Sequence, residues 1–394
     1  MGGSPARVVT SPPPGKEEEG RVPEEHEFAR STEPFRRELL AHCYRMLGSL
    51  DEAEDLVQET YLRAWRSYGT FEGRSSVRVW LYRIATNACL TALRDRGRRA
   101  LPSGLGAPAD DPGVPPEHGA DPDVAWLQPI PDALVTPCEE DPGAIAAARE
   151  HLRLALIAGL QYLPPRQRAV LLLREVLGFS AAEVAAMLDT TVPAVKSALQ
   201  RARARLDEAA PDRERLIEPT APHARALLEQ YIVGFQNADT GALERALRTD
   251  AAIEMVGTRT WFSGVATCLR YLARVSGPPG DWRMTPTLAN GQPAAAAYLR
   301  DAGGTHRAFG LGVLTATPRG IARVTVFSGG PDLFARLGLP PTWEPPPAVR
   351  PPPCSLRALS RDGRITPREG TGSDRDPPGP GRRRGSAPTS IAER

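Results

Sequence analysis

The sequence predicts a multidomain protein: two all-α modules, the second a helix-turn-helix, followed by an α+β, cone-shaped domain. Three observations predict this. Apolar residues recur at three- and four-residue spacing in two separate stretches, 35–99 and 149–207. A segment rich in proline, glycine and aspartate divides them. Beyond residue 221 the pattern becomes helices followed by short strands with turn signals. A length of 394 residues suits two or three domains.

In the first module, Phe35, Leu39, Cys43 and Leu47 share a helix face, and Gly48 stops the helix. Ser49 with Glu52 starts a second helix, whose inner face is Ala53, Leu56, Val57, Thr60 and Ala64. Its outer face runs from Asp51, Glu52, Glu54 and Asp55 through Gln58 and Glu59 to Arg63 and Arg66. Acid first and base last suit the helix dipole. The density of acid also suits a basic partner surface. The loop GTFEGRSS precedes a third helix with the stripe Val77, Leu81, Ile84, Ala85, Ala88 and Ala92. Arg78, Trp80, Tyr82, Arg83 and Asn87 stand near the loop and along that helix, and Arg94, Arg96, Arg98 and Arg99 close it. Aromatic rings interleaved with arginine suit single-stranded nucleic acid, since bases stack on rings while phosphates meet cations. Trp80 and Tyr82 also read as core side chains, the favoured reading for Trp80, which from the core would still brace the loop.

In the second module, Pro164 and Pro165 open a helix carrying Val170, Leu171, Leu173 and Val176, and Gly178 ends it. Ser180 with Glu183 forms a capping box for a short helix with inner residues Val184, Met187 and Leu188. Asp189, Thr190 and Thr191 make a tight corner, with Thr191 as N-cap and Pro193 in the first turn of the last helix. There Val195, Leu199, Ala202 and Leu206 face inward, while Lys196, Ser197, Gln200, Arg201 and Arg203 lie mainly on the other faces. Lysine and arginine neutralise phosphates, and arginine, glutamine and serine read base edges in the major groove. Duplex DNA is the expected partner.

Two such blocks in this order resemble alternative sigma factors of the extracytoplasmic-function type, within the sigma-70 family. The segments RRELLAHCYRMLGSLDEAEDLVQETYLRAW, FEGRSSVRVWLYRIATNACL and LPPRQRAVLLLREVLGFSAAEVAAMLDTTVPAVKSALQRARARL carry the resemblance. It implies that Asp55, Gln58 and Glu59 dock on the beta-prime clamp of core RNA polymerase, with the beta flap as a second contact. It implies that Phe71, Gly73, Arg74, Ser75 and Ser76 form the loop that captures a flipped base of the promoter −10 element, with Asn87 beside that pocket. Lys196, Ser197, Gln200 and Arg201 would face the −35 element. The implied division is a tail over 1–30, sigma region 2 over 31–100, a linker over 101–148 and sigma region 4 over 149–210. Extruding a base costs a few kcal/mol, which a rigid basic and aromatic pocket can offset.

The linker composition predicts an extended segment without a core of its own. Trp126, Leu127 and Ile130 depart from it. They read either as docking against the chain's own domains or as engaging the third domain or the polymerase cleft. The third domain, 221–340, begins with the helices HARALLEQYIVGFQNAD and TGALERAL. AAIEMVG is a strand, SGVATCLRYLARVS a helix, and WRMTPTLA, PAAAAYLR, RAFGLGVLTAT and GIARVTVFSG are strands, the last two joined by Pro318, Arg319 and Gly320. Helices followed by a curved antiparallel sheet resemble the cone of nuclear transport factor two, steroid isomerases and polyketide cyclases. ANGQPAAAAY and PDLFARLGLP resemble segments of sigma factors with such a fused tail. Glu254, Asp301 and His306 are the acid–base candidates of a pocket walled by Trp261 and Trp282. No close His–Asp pair accompanies them, so regulation, by contact or by a small ligand, ranks ahead of catalysis.

The net charge is +2, so DNA affinity must come from local basic faces. Five cysteines (43, 89, 138, 268 and 354) lack CxxC or Cys-His spacing, so no disulfide, metal or cofactor is expected. No signal peptide or spanning stretch is evident, which predicts a cytoplasmic protein without membrane contact. Tails are expected to be disordered over 1–30 and 345–394. An enzyme tethered to DNA-binding helices, or a ligand-sensing one-component regulator, would leave the 35–99 block unexplained.

Overall fold

Capping residues set the helix limits much as the sequence suggests. A computed structural model describes residues 26–73, 75–94, 96–113, 121, 123–136, 141–209 and 216–343. Helix α1, described over 26–32, leads through a short 3-10 turn into α2 (Arg36–Leu47), α3 (Leu50–Tyr68) and α4 (Val77–Ala92). Gly48 takes a φ of +70° to end α2, and Ser49 caps α3 by accepting from the Glu52 amide. Ser76 does the same for α4 through the Val79 amide. Ala53, Val57, Thr60 and Ala64 are buried as the stripe predicts.

The expected boundary at residue 30 is corrected. The chain is already helical at 26, and Phe28 is buried against Tyr61, Trp65 and Tyr68, with ring centroids 6.3, 5.3 and 5.1 Å away. One aromatic residue in a charged segment was enough to anchor it. The rest of the expected N-terminal tail, and the whole C-terminal tail, lie outside the described residues.

The linker is also corrected. Leu101, Leu127, Ile130 and Val135 are buried in an apolar cluster shared with the helical modules and the sheet. Leu127 and Ile130 are among the residues that depart from the linker composition, whereas Leu101 and Val135 carry no such signal. Trp126 is half-buried and forms a bridge with Ala100, so this segment docks on its own chain. A short helix, α5 (Asp132–Val135), follows. Helix α6 (Pro142–Glu150) begins ahead of the expected module boundary, because Asp141 caps it from the Gly143 and Ala144 amides.

The second module comprises α7 (Leu154–Leu160), α8 (Pro165–Leu171, continuing as a π turn over Leu172–Val176), α9 (Ala181–Met187) and α10 (Val192–Ala209). The Ser180–Glu183 capping box is complete in both directions.

The third domain has α11 (Pro222–Gln236), α12 (Thr240–Ala246), β1 (Leu247–Val256), β2 (Trp261–Ser263), α13 (Val265–Val275), β3 (Trp282–Ala289), β4 (Gln292–Arg300), β5 (His306–Thr317), β6 (Gly320–Ser328) and α14 (Pro331–Arg336). The sheet order is β2-β1-β6-β5-β4-β3. It is mixed where the sequence predicts antiparallel pairing throughout: β1 and β6 run parallel, since the chain between them crosses over by way of α13 and four further strands. One face packs on α11–α13 through residues such as Ile253, Leu314 and Val324. The other, with Val256, Ala294, Ala296, Tyr298 and Leu311, joins the core shared with the linker and helical modules. The alanine run of β4 keeps both faces shallow enough for close approach.

His42 sits fully buried between α2 and α4, with Nε2 3.0 Å from Thr86 Oγ1. Burial, and then Arg45, hold its pKa down at about 3. A depressed histidine contributes stability above its unfolded pKa near 6.5 and loses it as pH falls towards 3. Lowering the pH from 7 to 5 is therefore expected to cost about 2 kcal/mol through this group. Denaturant titrations of the wild type and His42→Leu should differ in pH slope over that range; equal slopes would remove His42 from the account.

Candidate nucleic-acid and polymerase interfaces

The recognition helix α10 buries Val195, Ala202 and Leu206 and leaves Lys196, Ser197, Gln200 and Arg201 exposed. The Arg201 guanidinium donates to Ser197 Oγ at 3.1 Å. One polar row thus carries two cationic groups and two groups that can both donate and accept, the chemistry needed to meet phosphates and base edges.

On the first module, Phe71 stacks on Trp80 with centroids 4.7 Å apart and a 30° tilt. Trp80 therefore braces the loop, and Ser75 is exposed beside it. Arg74 lies outside the described residues. Tyr82 is fully buried, as a core residue, against Phe179 of the second module. Asn87 faces that module too: its Nδ2 donates to the Met187 carbonyl at 3.3 Å. Arg83 pairs with Asp189 at 3.2 Å. Arg78 reaches Glu38 and the Leu177 carbonyl and lies over the rings of Tyr82 and Phe179. The face of α4 is thus packed against the end of α9 and the turns around it.

On α3, Asp55 and Gln58 are exposed, and Glu59 pairs with Arg63 one turn on. The turn before them is ion-paired. Arg336 of α14 contacts Asp51 at 2.5 Å and Glu54 at 3.3 Å. Burial pushes the Asp51 carboxyl up, but hydrogen bonds from Gln128 and Arg336 outweigh it and hold it below its usual range. Sequence reasoning did not find Arg336, although PDLFARLGLP was the segment set apart.

The sequence also missed the residue that gathers the modules. Asn290 and Gly291 form the two-residue turn between β3 and β4, with φ of +55° and +63°. Asn-Gly is the pair that such a turn favours, because both residues must be left-handed. Asn290 accepts from the Ile130 amide at 3.0 Å and donates to the Leu152 carbonyl at 3.0 Å and to Tyr44 Oη at 2.7 Å. Tyr44 Oη in turn donates to the Gln128 carbonyl at 2.8 Å. The Gly291 amide donates to Asp132 Oδ1 at 2.8 Å, and the Leu154 amide to Gln292 Oε1 at 2.9 Å. Burial raises the Asp132 pKa, opposed by the Gly291 amide and by Arg149. One hairpin tip therefore holds the first module, the linker and the start of the second.

The residues expected to line a pocket in the third domain do not converge on one pocket. Glu254 and Trp261 sit at the β2–β1 edge, in register with each other. Glu254 is fully buried under the linker: it accepts from the Ser103 amide at 3.2 Å and Thr325 Oγ1 at 3.0 Å and pairs with Arg323 at 3.3 Å. Trp261 donates to the Gly106 carbonyl. Trp282 is at the opposite edge, between Phe235 and Phe309. His306 contacts the Gly280 carbonyl, and Asp301 closes a turn and pairs with Arg307. Of the two cavities described, one lies between the linker and the β1–β6 end of the sheet and the other mainly between the two helical modules, so neither is on the helix-covered face of the sheet. Among the described residues no cluster suits a metal ion, and no helix is long and apolar enough to cross a membrane.

Comparison with known proteins fits these surfaces. Residues 32–99 match the Sigma-70 region 2 family and residues 153–206 the Sigma-70, region 4 family. The chain is 47% identical over 330 residues to the ECF RNA polymerase sigma factor SigG of Mycobacterium tuberculosis, covering 82% of this chain and 88% of that one. It is 30% identical over 175 residues to the RNA polymerase sigma-H factor of Pseudomonas aeruginosa, covering 44% of this chain and 81% of the relative. The crystal structure of the M. tuberculosis extracytoplasmic function sigma factor SigJ shares the fold, with a TM-score of 0.51 and 20% identity over 81% of this chain and 99% of that one. The helical modules, the basic recognition helix and the extent of the match to SigG together make this chain a member of the ECF RNA polymerase sigma factor family, an alternative sigma factor that acts in transcription initiation.

Proposed function

We propose that this sigma factor rests in a closed form, clasped by its third domain, and opens when it engages core polymerase and promoter DNA. The observation that carries the proposal is the engagement of Asn87. The residue assigned to the −10 pocket donates to Met187 in the helix-turn-helix. The same face of α4 cannot bind a melted strand while the second module covers it. The Arg83–Asp189 and Arg78–Leu177 contacts support the same reading. In the open form, Phe71, Arg74, Ser75 and Asn87 would take the −10 element and Lys196, Ser197, Gln200 and Arg201 the −35 element. Asp55, Gln58 and Glu59 would dock on the beta-prime clamp, with the second module on the beta flap. The third domain acts in this scheme by contact: the helix-covered face of its sheet is filled by Tyr231, Phe235, Phe262 and Trp282.

The test is co-elution of the full chain with bacterial core RNA polymerase. Asp55→Arg and Glu59→Arg are each expected to weaken the complex at least tenfold while leaving the helical circular dichroism unchanged. Undiminished binding by both would withdraw the docking assignment. Arg336→Glu should act in the opposite sense, because it removes the cation paired with Asp51 and Glu54. A several-fold tighter complex is expected, largest at low salt, since the ion pairs are partly exposed. Equal affinity at 50 and 300 mM salt would show that α14 does not compete with polymerase.

A further inference from the structure

A cleft of about 430 Å³ opens where the end of the first module, the linker and the α7–α8 turn meet. Among the described residues its charged lining is Arg96, Arg98, Arg99 and Arg168 with the carboxylate of Glu52. Arg96 and Arg99 both close on that carboxylate, Arg99 at 2.7 Å. Arg98 stands across from them, bonded to the Gly104 carbonyl and lying 4.1 Å over the Tyr162 ring. Arg168 is 3% exposed. It donates to neutral oxygens of Met46, Gln161 and Leu163, while its Nε has no partner among the described residues. Burial without an anion lowers its pKa to about 10.

Buried guanidinium groups are stable when an anion matches them, and their planar fork suits phosphate oxygens. A single phosphate would leave most of this volume empty, whereas small-molecule sites run from roughly 300 to 1,000 Å³. A duplex is less well suited, because Arg168 is buried behind the end of α2 and the α7–α8 turn. We propose that the cleft binds a diphosphate group, free or carried on a nucleoside, with Arg96 and Arg99 turning from Glu52 to it. Such a ligand would bridge three segments that separate on opening, so it would favour the closed form by mass action.

The experiment is calorimetric titration of the full chain with inorganic pyrophosphate, adenosine 5′-diphosphate and guanosine 5′-diphosphate at fixed ionic strength. Thermal melts accompany it. Saturable one-to-one binding and a rise of a few degrees in Tm are expected for at least one ligand. Arg96→Glu with Arg98→Glu, both exposed positions, should weaken binding at least tenfold, while Lys196→Glu leaves it unchanged. A tenfold preference for a nucleoside diphosphate identifies the carried group, and equal affinities identify pyrophosphate itself. Binding that falls equally in Lys196→Glu overturns the proposal. So does the absence of heat and of any Tm shift, and so does binding of promoter duplex alone through the same arginines.

Discussion

Replacing Asn290 with alanine is expected to open the chain. The alanine would keep a left-handed φ of +55° that costs an L residue about 1–2 kcal/mol. It would also strip the partner from the buried Ile130 amide and remove donors to Leu152 and Tyr44. Leaving one buried polar group unsatisfied costs about 1–3 kcal/mol, so the combined loss is on the order of 3–5 kcal/mol. That exceeds the few kcal/mol that separate two conformations of one protein. Gly291→Ala should do more. Its Cβ would stand 2.3 Å from the Arg149 carbonyl, so the hairpin must part from the end of α6. Fluorophores on α3 and α10 of the full chain would report the separation. Both variants should lower the transfer efficiency and strengthen the complex with core polymerase. If Asn290→Ala keeps the wild-type efficiency and melting temperature, the hairpin is not the clasp, and the closed form must rest on the α4–α9 contact instead.

How far the sequence revealed this arrangement depends on the range of the forces involved. The helices, their caps and the exposed row of α10 follow from local periodicity. They were legible because the residues that decide them lie within a turn or two of each other. The Ser180–Glu183 box and the Phe71–Trp80 brace belong to this group. The strands were legible too, although the parallel pairing of β1 with β6 was not, since it depends on a crossover and not on either strand. The candidate site was legible in parts. Each of its polar rows could be read from one helix, but not the fact that Asn87 and Met187 meet across 100 residues. Glu254 illustrates the opposite failure. An acid in a strand of a cone-shaped domain invites a catalytic reading, yet it points to the linker face, where Ser103, Arg323 and Thr325 satisfy it. Asn290 carried a usable signal, Asn-Gly between two strands, which speaks to the turn and is silent about what the turn touches.

Arg168 is expected to be the most sensitive single position in the second module. Its guanidinium serves four acceptors: the carbonyls of Met46, Gln161 and Leu163 and the Gln161 side chain. Three of them organise the α7–α8 turn, and the Met46 carbonyl belongs to the end of α2. Truncation therefore acts twice, loosening the turn and uncoupling the modules. Arg168→Met fills much of the volume but orphans those oxygens, and each buried acceptor left unsatisfied costs about 1–3 kcal/mol. Arg168→Lys keeps the charge, yet one ammonium cannot span the acceptors of a planar fork, so roughly half that loss should remain. The ordering separates two explanations. If only volume matters, methionine should be milder than lysine. If the fork matters, lysine should be milder, and both should lower the melting temperature and shift the labelled modules apart. The pair with Asn290→Ala gives a further constraint. Both residues hold the first module to the rest of the chain, so in the double variant the second substitution should widen the separation much less than it does alone. Full additivity in the distance readout would mean that the hairpin and the guanidinium stabilise different forms.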